Sequence, residues 1–171
     1  MASMVPEGSV QILEPTPGVG NLVEALFRRG FSPEFPEDYF KERDRYLKSS
    51  WDCVIMNPPF SSKSAFMDNA PVEWQKEKGM KFGYKMLLEM MSISANVIAL
   101  MPWCTIADSD VRLRRIKSFG LKSLTSLPRK TFEYVRINTM ILELEKGFSG
   151  ETTFKVFDEI AKSNQYSLLE H

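Results

Sequence analysis

Histidine is almost missing from these 171 residues. The single one, His171, is the last residue, which leaves no histidine for a catalytic triad or a zinc centre. Cysteine is nearly as scarce. Cys53 and Cys104 each fall inside an apolar run and read as small buried hydrophobes of a reducing compartment, not as a disulfide or a metal pair, so no metal is expected. No apolar run approaches the roughly 18 residues of a membrane span. The opening "MASMVPEGS" has neither the basic flank nor the apolar segment of a secretory signal, so a cytoplasmic location away from membranes is expected. Neither sign of charge prevails, with 22 basic against 22 acidic residues. A phosphate loop would need Gly-Lys-Ser/Thr, which is absent. A dinucleotide fingerprint fails because Val23 stands where its third glycine belongs. The length suits one domain, expected over residues 5–168, with 1–4 and 169–171 read as additions outside it.

What is present is an alternation of short apolar runs with amphipathic segments. "VQILE" (10–14), "WDCVIM" (51–56) and "NVIALMPW" (96–103) read as buried strands. "NLVEALFRRG" (21–30), "MKFGYKMLLEMMSIS" (80–94) and "DSDVRLRRIKSFG" (108–120) read as helices, the first and last closed by Gly30 and Gly120. "EDYFKERDRYLK" (37–48) fits one amphipathic helix or an edge segment, and residues 61–79 a loop with some helical turns. "LKSLTSL" and "INTMILELE" predict two strands with no helix between them, and "TTFKVF" a last one. The expected fold is α/β, a Rossmann-like, mostly parallel sheet with an antiparallel C-terminal edge strand.

In such sheets ligands bind where strands end in loops, and two of these loops are unusual. "EPTPGVGN" (14–21) sets Gly18 and Gly20 just before a helix N-terminus, a backbone that a ligand can approach closely. "NPPF" (57–60) follows a strand with two residues that lack an N–H and fix their own φ, between an amide and an aromatic ring. That is a rigid device for holding something flat. Elsewhere, Arg112, Arg114, Arg115, Lys117, Lys122, Arg129, Lys130 and Arg136 stand against a lone acidic Glu133 between positions 112 and 136, a candidate surface for a polyanion.

"ILEPTPGVGNLVEAL" followed by "WDCVIMNPPF", with "LPRKTFEYVRINTMILELEK" (127–146) as a closing hairpin, resembles the S-adenosylmethionine-dependent N6-adenine DNA methyltransferases, including those of restriction-modification systems. The resemblance covers about residues 10–146. It implies S-adenosylmethionine as cofactor and methyl transfer to adenine N6 in DNA. It also implies that Glu14, Pro15, Thr16, Gly18, Gly20 and Asn21 form the cofactor loop and Asn57, Pro58, Pro59 and Phe60 the catalytic loop. Asp38, with Tyr39 beside it, resembles the family position that contacts the cofactor adenine. The physics agrees. The exocyclic amine of adenine is a poor nucleophile because its lone pair is delocalised into the ring. Asn57 Oδ1 and the Pro58 carbonyl can each accept one amine N–H and favour a pyramidal nitrogen, while Phe60 can stack on a flipped base. Lys63, Arg114, Arg129, Lys130 and Arg136 are the candidates for nucleic-acid contacts.

The chain departs from the family in length. Between the two loops the family carries a strand–helix unit whose acidic residue holds the cofactor ribose, and only residues 31–50 are available here. Glu34 or Glu37 is the substitute carboxylate, although Pro33 and Pro36 oppose a strand there. The sheet is therefore expected to lack that unit, leaving an edge that residues 31–50 or a second copy in a homodimer would cover. Alternative functions are methylation of another planar amine, guanine N2 of ribosomal RNA or a protein glutamine, and a non-catalytic nucleic-acid-binding module on a degenerate scaffold. DNA is the expected partner, with RNA as the alternative.

Overall fold

The computed structural model describes residues 1–60, 69–77, 79–129, 131 and 137–157. Its six strands form one sheet in the order β1-β2-β3-β5-β4-β6, from β1 (Ile12–Leu13), β2 (Cys53–Met56), β3 (Asn96–Pro102), β4 (Leu121–Ser126), β5 (Thr139–Glu145) and β6 (Thr153–Val156). β1, β2 and β3 pair in parallel, as do β4 and β6. Only β5 runs against its neighbours. The expected α/β sheet, mostly parallel, is what forms.

The place of the antiparallel strand differs from expectation. β5 is not at the edge but between β3 and β4, and the parallel β6 forms the edge. The residues account for this. In β5, Met140, Ile141, Leu142 and Leu144 are all buried, an apolar load on both faces that only an interior strand satisfies. In β6, "TFKV" is exposed throughout, as suits an edge.

Alternation along the strands divides the core. Val54, Met56, Val97, Ala99 and Met101 face one side, under α2 (Tyr39–Lys48), α4 (Met80–Ile93) and α6 (Asp110–Gly120). Cys53, Ile55, Ile98 and Leu100 face the other, under α1 (Asn21–Arg28). Residues 1–4, expected to lie outside the domain, take part in this packing. Ala2–Met4 forms a 3-10 turn, and the Met1 and Ala2 side chains are fully buried in the α1-side cluster. One-turn helices α3 (Val72–Gln75) and α5 (Cys104–Ala107) complete the described elements; α5 had no counterpart in the sequence reading. Cys53 is buried and Cys104 half-buried, neither in a disulfide. Among the described residues no helix is long and apolar enough to cross a membrane, and no cluster of His, Cys, Asp or Glu is suited to a metal ion.

The strand–helix unit expected to be missing is reduced to one residue and one helix. Beyond β1, Glu34 makes a single parallel bridge to Leu13. Its N–H donates to the Ile12 carbonyl at 2.7 Å, and its own carbonyl accepts from Glu14 N–H at 2.9 Å. Pro33 and Pro36 flank it, and with no N–H of their own they stop the ladder from extending. The chain then enters α2. Asp38 caps this helix by accepting from Phe40 N–H at 3.0 Å, and Arg45 pairs with both Glu34 and Glu42.

Candidate active site

β1 and β2 lie side by side in parallel, so the loops that follow them, Glu14–Asn21 and Asn57–Phe60, emerge together. In the first loop, Gly20 N–H closes a turn onto the Pro17 carbonyl at 2.7 Å. Gly18 and Gly20 sit at φ 54° and 90°, a region costly for other residues. Gly20 is the N-cap of α1, and among the described residues no side chain makes a capping hydrogen bond there. A Cβ at Gly20 would meet no protein atom within 4 Å, and at Gly18 only the Thr16 carbonyl at 3.9 Å. The loop therefore borders open space that a ligand can fill.

Glu14 is fully buried at the head of this loop. Its Oε1 accepts from Thr16 N–H at 2.9 Å and from the Thr16 hydroxyl at 2.7 Å. Its Oε2 is buried without a hydrogen-bond partner among the described residues. Burial pushes this carboxyl up to about 8, and the two hydrogen bonds from Thr16 pull only partly the other way. The Thr16 hydroxyl also reaches the second loop, where it accepts from Asn57 N–H at 3.0 Å. A single side chain thus ties the loops together.

Both loops line one pocket, of about 130 Å³. Pro15, Thr16, Pro17 and Gly18 form one wall, with Asn57 and Pro59 beside them. Glu37, Tyr39 and Phe40 from the α2 region and Phe82 and Met86 from α4 form the other. The sequence reading had assigned Met86 to a core stripe; it is nearly fully buried and still borders the pocket. Of the two carboxylates considered for the ribose role, Glu37 lies on the wall, whereas Glu34 is held by Arg45 at the sheet edge. Tyr39 is on the wall too, its hydroxyl donating to Glu89 Oε1 at 2.6 Å. Asp38 caps α2 and also accepts from the Asn69 amide at 2.5 Å.

In the second loop, Asn57 is exposed, Pro58 buried, and Pro59 and Phe60 half-buried. The Phe60 ring packs against the core cluster under α4, where Gly83 gives it room. A Cβ at Gly83 would stand 3.2 Å from Phe60 Cε1 and 3.5 Å from Pro58 Cγ. Gly83 was missed in the sequence reading. Its signal was a glycine inside a helical segment, which costs stability and often marks a close approach. Of the basic candidates, Arg129 is exposed in the turn after β4, on the side where the strand-end loops lie. Arg114 is exposed in the second turn of α6 with its Nε donating to the Asp110 carbonyl at 3.3 Å. Lys63, Lys130 and Arg136 lie outside the described residues.

No protein-family model matches the sequence, and no curated protein sequence does. Solved structures do match. A type I restriction-modification system methyltransferase subunit from Streptococcus thermophilus superposes with a TM-score of 0.66 at 15% identity, over 98% of this chain and 49% of that one. A putative class I S-adenosylmethionine-dependent methyltransferase from Listeria monocytogenes gives 0.65 at 18%, over 98% and 66%. A chain of a type I restriction-modification system gives 0.59 at 18%, over 90% and 42%. The chain thus spans less than half the length of the two type I chains. At these identities the likeness establishes the fold alone: an α/β sheet similar to the one in these methyltransferase structures.

Proposed function

We propose that the protein binds S-adenosylmethionine in the pocket between its two strand-end loops and directs methyl transfer to the exocyclic amine of adenine in DNA. The observation that carries this reading is the hydrogen-bonded union of the two loops around one pocket, with Thr16 between Glu14 and Asn57.

The residues present fit the cofactor. Gly18 and Gly20 leave open room beside the backbone, the first turn of α1 has no side-chain capping hydrogen bond among the described residues, and Glu14 keeps one buried oxygen without a partner there. In this reading Pro15–Gly20 hold the amino-acid part, and the approach of its ammonium ionises the otherwise protonated Glu14, which then serves as counter-charge. Glu37 takes the ribose hydroxyls, and Tyr39 and Phe40 border the adenine. The cofactor, when bound, supplies an electrophilic methyl group on a sulfonium.

The chain's own work falls to Asn57 and Pro58. Asn57 Oδ1 and the Pro58 carbonyl accept the two N–H groups of the target amine and hold its nitrogen pyramidal, with the lone pair directed out of the ring plane. The Thr16 contact and the two prolines hold the backbone that carries both acceptors, so it needs little rearrangement during reaction. Phe60 offers a face for the base once it has left the duplex. In this reading Arg129 contacts phosphate from the turn after β4, at the same end of the sheet as the two loops.

A second reading, a nucleic-acid-binding module without catalysis, draws on two observations. The edge that carries a strand and its ribose carboxylate in the family is here one bridge, and the Phe60 ring packs on α4. Calorimetric titration with S-adenosylmethionine and S-adenosylhomocysteine, followed by labelled methyl transfer to DNA with and without adenine and to RNA, separates the two. Binding of both ligands with label confined to adenine-containing DNA is the expected result. DNA binding with no heat from either ligand at millimolar concentration would establish the module in its place.

A further inference from the structure

We propose that Thr16 is a positioning residue for the second loop: its hydroxyl fixes the backbone of Asn57 and, through it, the aim of the Asn57 amide and the Pro58 carbonyl. The contact stands on the geometry alone; its kinetic consequence rests on the methyl-transfer reading above.

The direction of the chain of hydrogen bonds is forced. A backbone N–H only donates, so Thr16 Oγ1 accepts from Asn57 at 3.0 Å. The single hydroxyl proton of Thr16 then goes to Glu14 Oε1 at 2.7 Å. Thr16 N–H donates to the same Oε1 at 2.9 Å, so that oxygen is the acceptor and any proton on the carboxyl resides on Oε2. Thr16 is thereby held from two sides, by its own N–H and by its hydroxyl, against a side chain that is fully buried.

The second loop depends on this contact more than an ordinary loop would. Asn57-Pro58-Pro59 contains one backbone N–H among three residues, and it is the one given to Thr16. β2 ends at Met56, so no ladder partner fixes Asn57. Proline φ is locked, so a shift at Asn57 is passed on to the Pro58 carbonyl and not absorbed by rotation. A threonine suits the task because its branched Cβ restricts χ1 and holds the hydroxyl in one direction.

The test compares the intact wild-type chain with Thr16→Val, which keeps the shape and removes the hydroxyl, and Thr16→Ser, which restores it. Three quantities are measured: amide exchange at Asn57 by NMR, affinity for S-adenosylhomocysteine by calorimetry, and single-turnover methyl transfer to adenine-containing DNA. In Thr16→Val, Asn57 should lose about tenfold in exchange protection and turnover should fall about tenfold, with a smaller change in ligand affinity. Thr16→Ser should recover both. Unchanged Asn57 protection in Thr16→Val overturns the proposal. So does a Thr16→Ser chain as impaired as the valine variant, because a chain that keeps the hydroxyl would then be no better than one without it. Where valine does not fold, Thr16→Ala repeats the comparison with neither γ-methyl group. A wild-type chain that binds no ligand and transfers no methyl group overturns the functional reading instead, and the exchange measurement still decides the role of Thr16.

Discussion

The two loops that meet at the pocket are made rigid by opposite means. Glu14–Asn21 is shaped by its own polar groups: a hidden carboxyl gathers Thr16, a turn closes Gly20 onto Pro17, and two glycines at positive φ carry the chain into α1 beside open space. Asn57–Phe60 has almost no polar groups to use. Beyond the one hydrogen bond from Asn57 N–H to Thr16, its shape comes from two proline rings and from the packing of Pro58 and Phe60 against α4 at Gly83. A loop held by hydrogen bonds can leave its surface free for a ligand. A loop held by ring closure and packing keeps its amide and carbonyl aimed with nothing bound. Thr16 apart, whose hydroxyl serves both loops, damage to the first should therefore register in pH dependence and ligand affinity, and damage to the second in turnover.

The largest test of that contrast is Asn57→Ala. The side chain is exposed, so its removal should leave thermal stability nearly unchanged. Turnover should fall by two to three decades, about 2.7–4 kcal/mol by analogy with the loss of one preorganised hydrogen-bonding group at a reacting centre. The loss should appear in kcat and not in affinity for S-adenosylhomocysteine. Equal losses in both, or turnover like that of the wild type, would erase the distinction between the loops.

Glu14 provides the next effect, in the first loop. Burial pushes its carboxyl up to about 8 from the usual 4.5. Between those values the folded chain keeps a proton that the unfolded chain gives up, so unfolding releases a proton and stability falls as pH rises. The slope contributed is at most about 1.4 kcal/mol per pH unit. It fades below pH 4.5, where both states hold the proton, and above pH 8, where both have lost it. Glu14→Gln copies the neutral form and should flatten the dependence. Denaturant titrations of both proteins between pH 5 and 8 measure it, and parallel curves would mean that Glu14 titrates as an exposed acid. Asn57→Ala should retain the wild-type slope, which keeps the two loops apart in this observable.

How much of this was legible beforehand follows from how local each signal is. Runs such as "CVIM" and "NVIALMP" announce strands because nearly every residue of a strand buried on both faces is apolar, and the glycines and prolines near their ends announce the loops. The loops' neighbours were not legible. "MILEL" shows a strand buried on both faces but not which strands flank it, so β5 was expected at an edge it does not occupy. Helix α5, one turn long, has no room for a period. The bridge at Glu34 is a single residue. Met86 reads as core in any helical pattern, and only the fold sets it against Asn57 across a pocket. The hydrogen bond between Thr16 and Asn57 spans 41 residues, beyond any local pattern, although both residues lay inside motifs that the sequence displayed.

The smallest expected change in stability tests the packing half of the comparison. Gly83 is a buried residue inside α4, and alanine there gains up to about 1 kcal/mol in helix propensity. Against this gain, the new Cβ would stand 3.2 Å from Phe60 Cε1 and 3.4 Å from Cδ1, closer than ordinary contact, so the ring must move by a few tenths of an ångström. The two terms nearly cancel, and the unfolding free energy of Gly83→Ala should stay within about 0.5 kcal/mol of the wild type, as for most mild substitutions. The effect should appear in the second loop instead. With the ring displaced from its seat, affinity for adenine-containing single-stranded DNA should change, while S-adenosylhomocysteine affinity, which depends on the first loop, stays the same. Phe60→Ala sets the scale, since losing a base-stacking ring costs about 1–3 kcal/mol. Equal effects of Gly83→Ala on both ligands would show that the two loops move as one body. No effect on DNA, with Phe60→Ala also silent, would show that the ring belongs to the core alone.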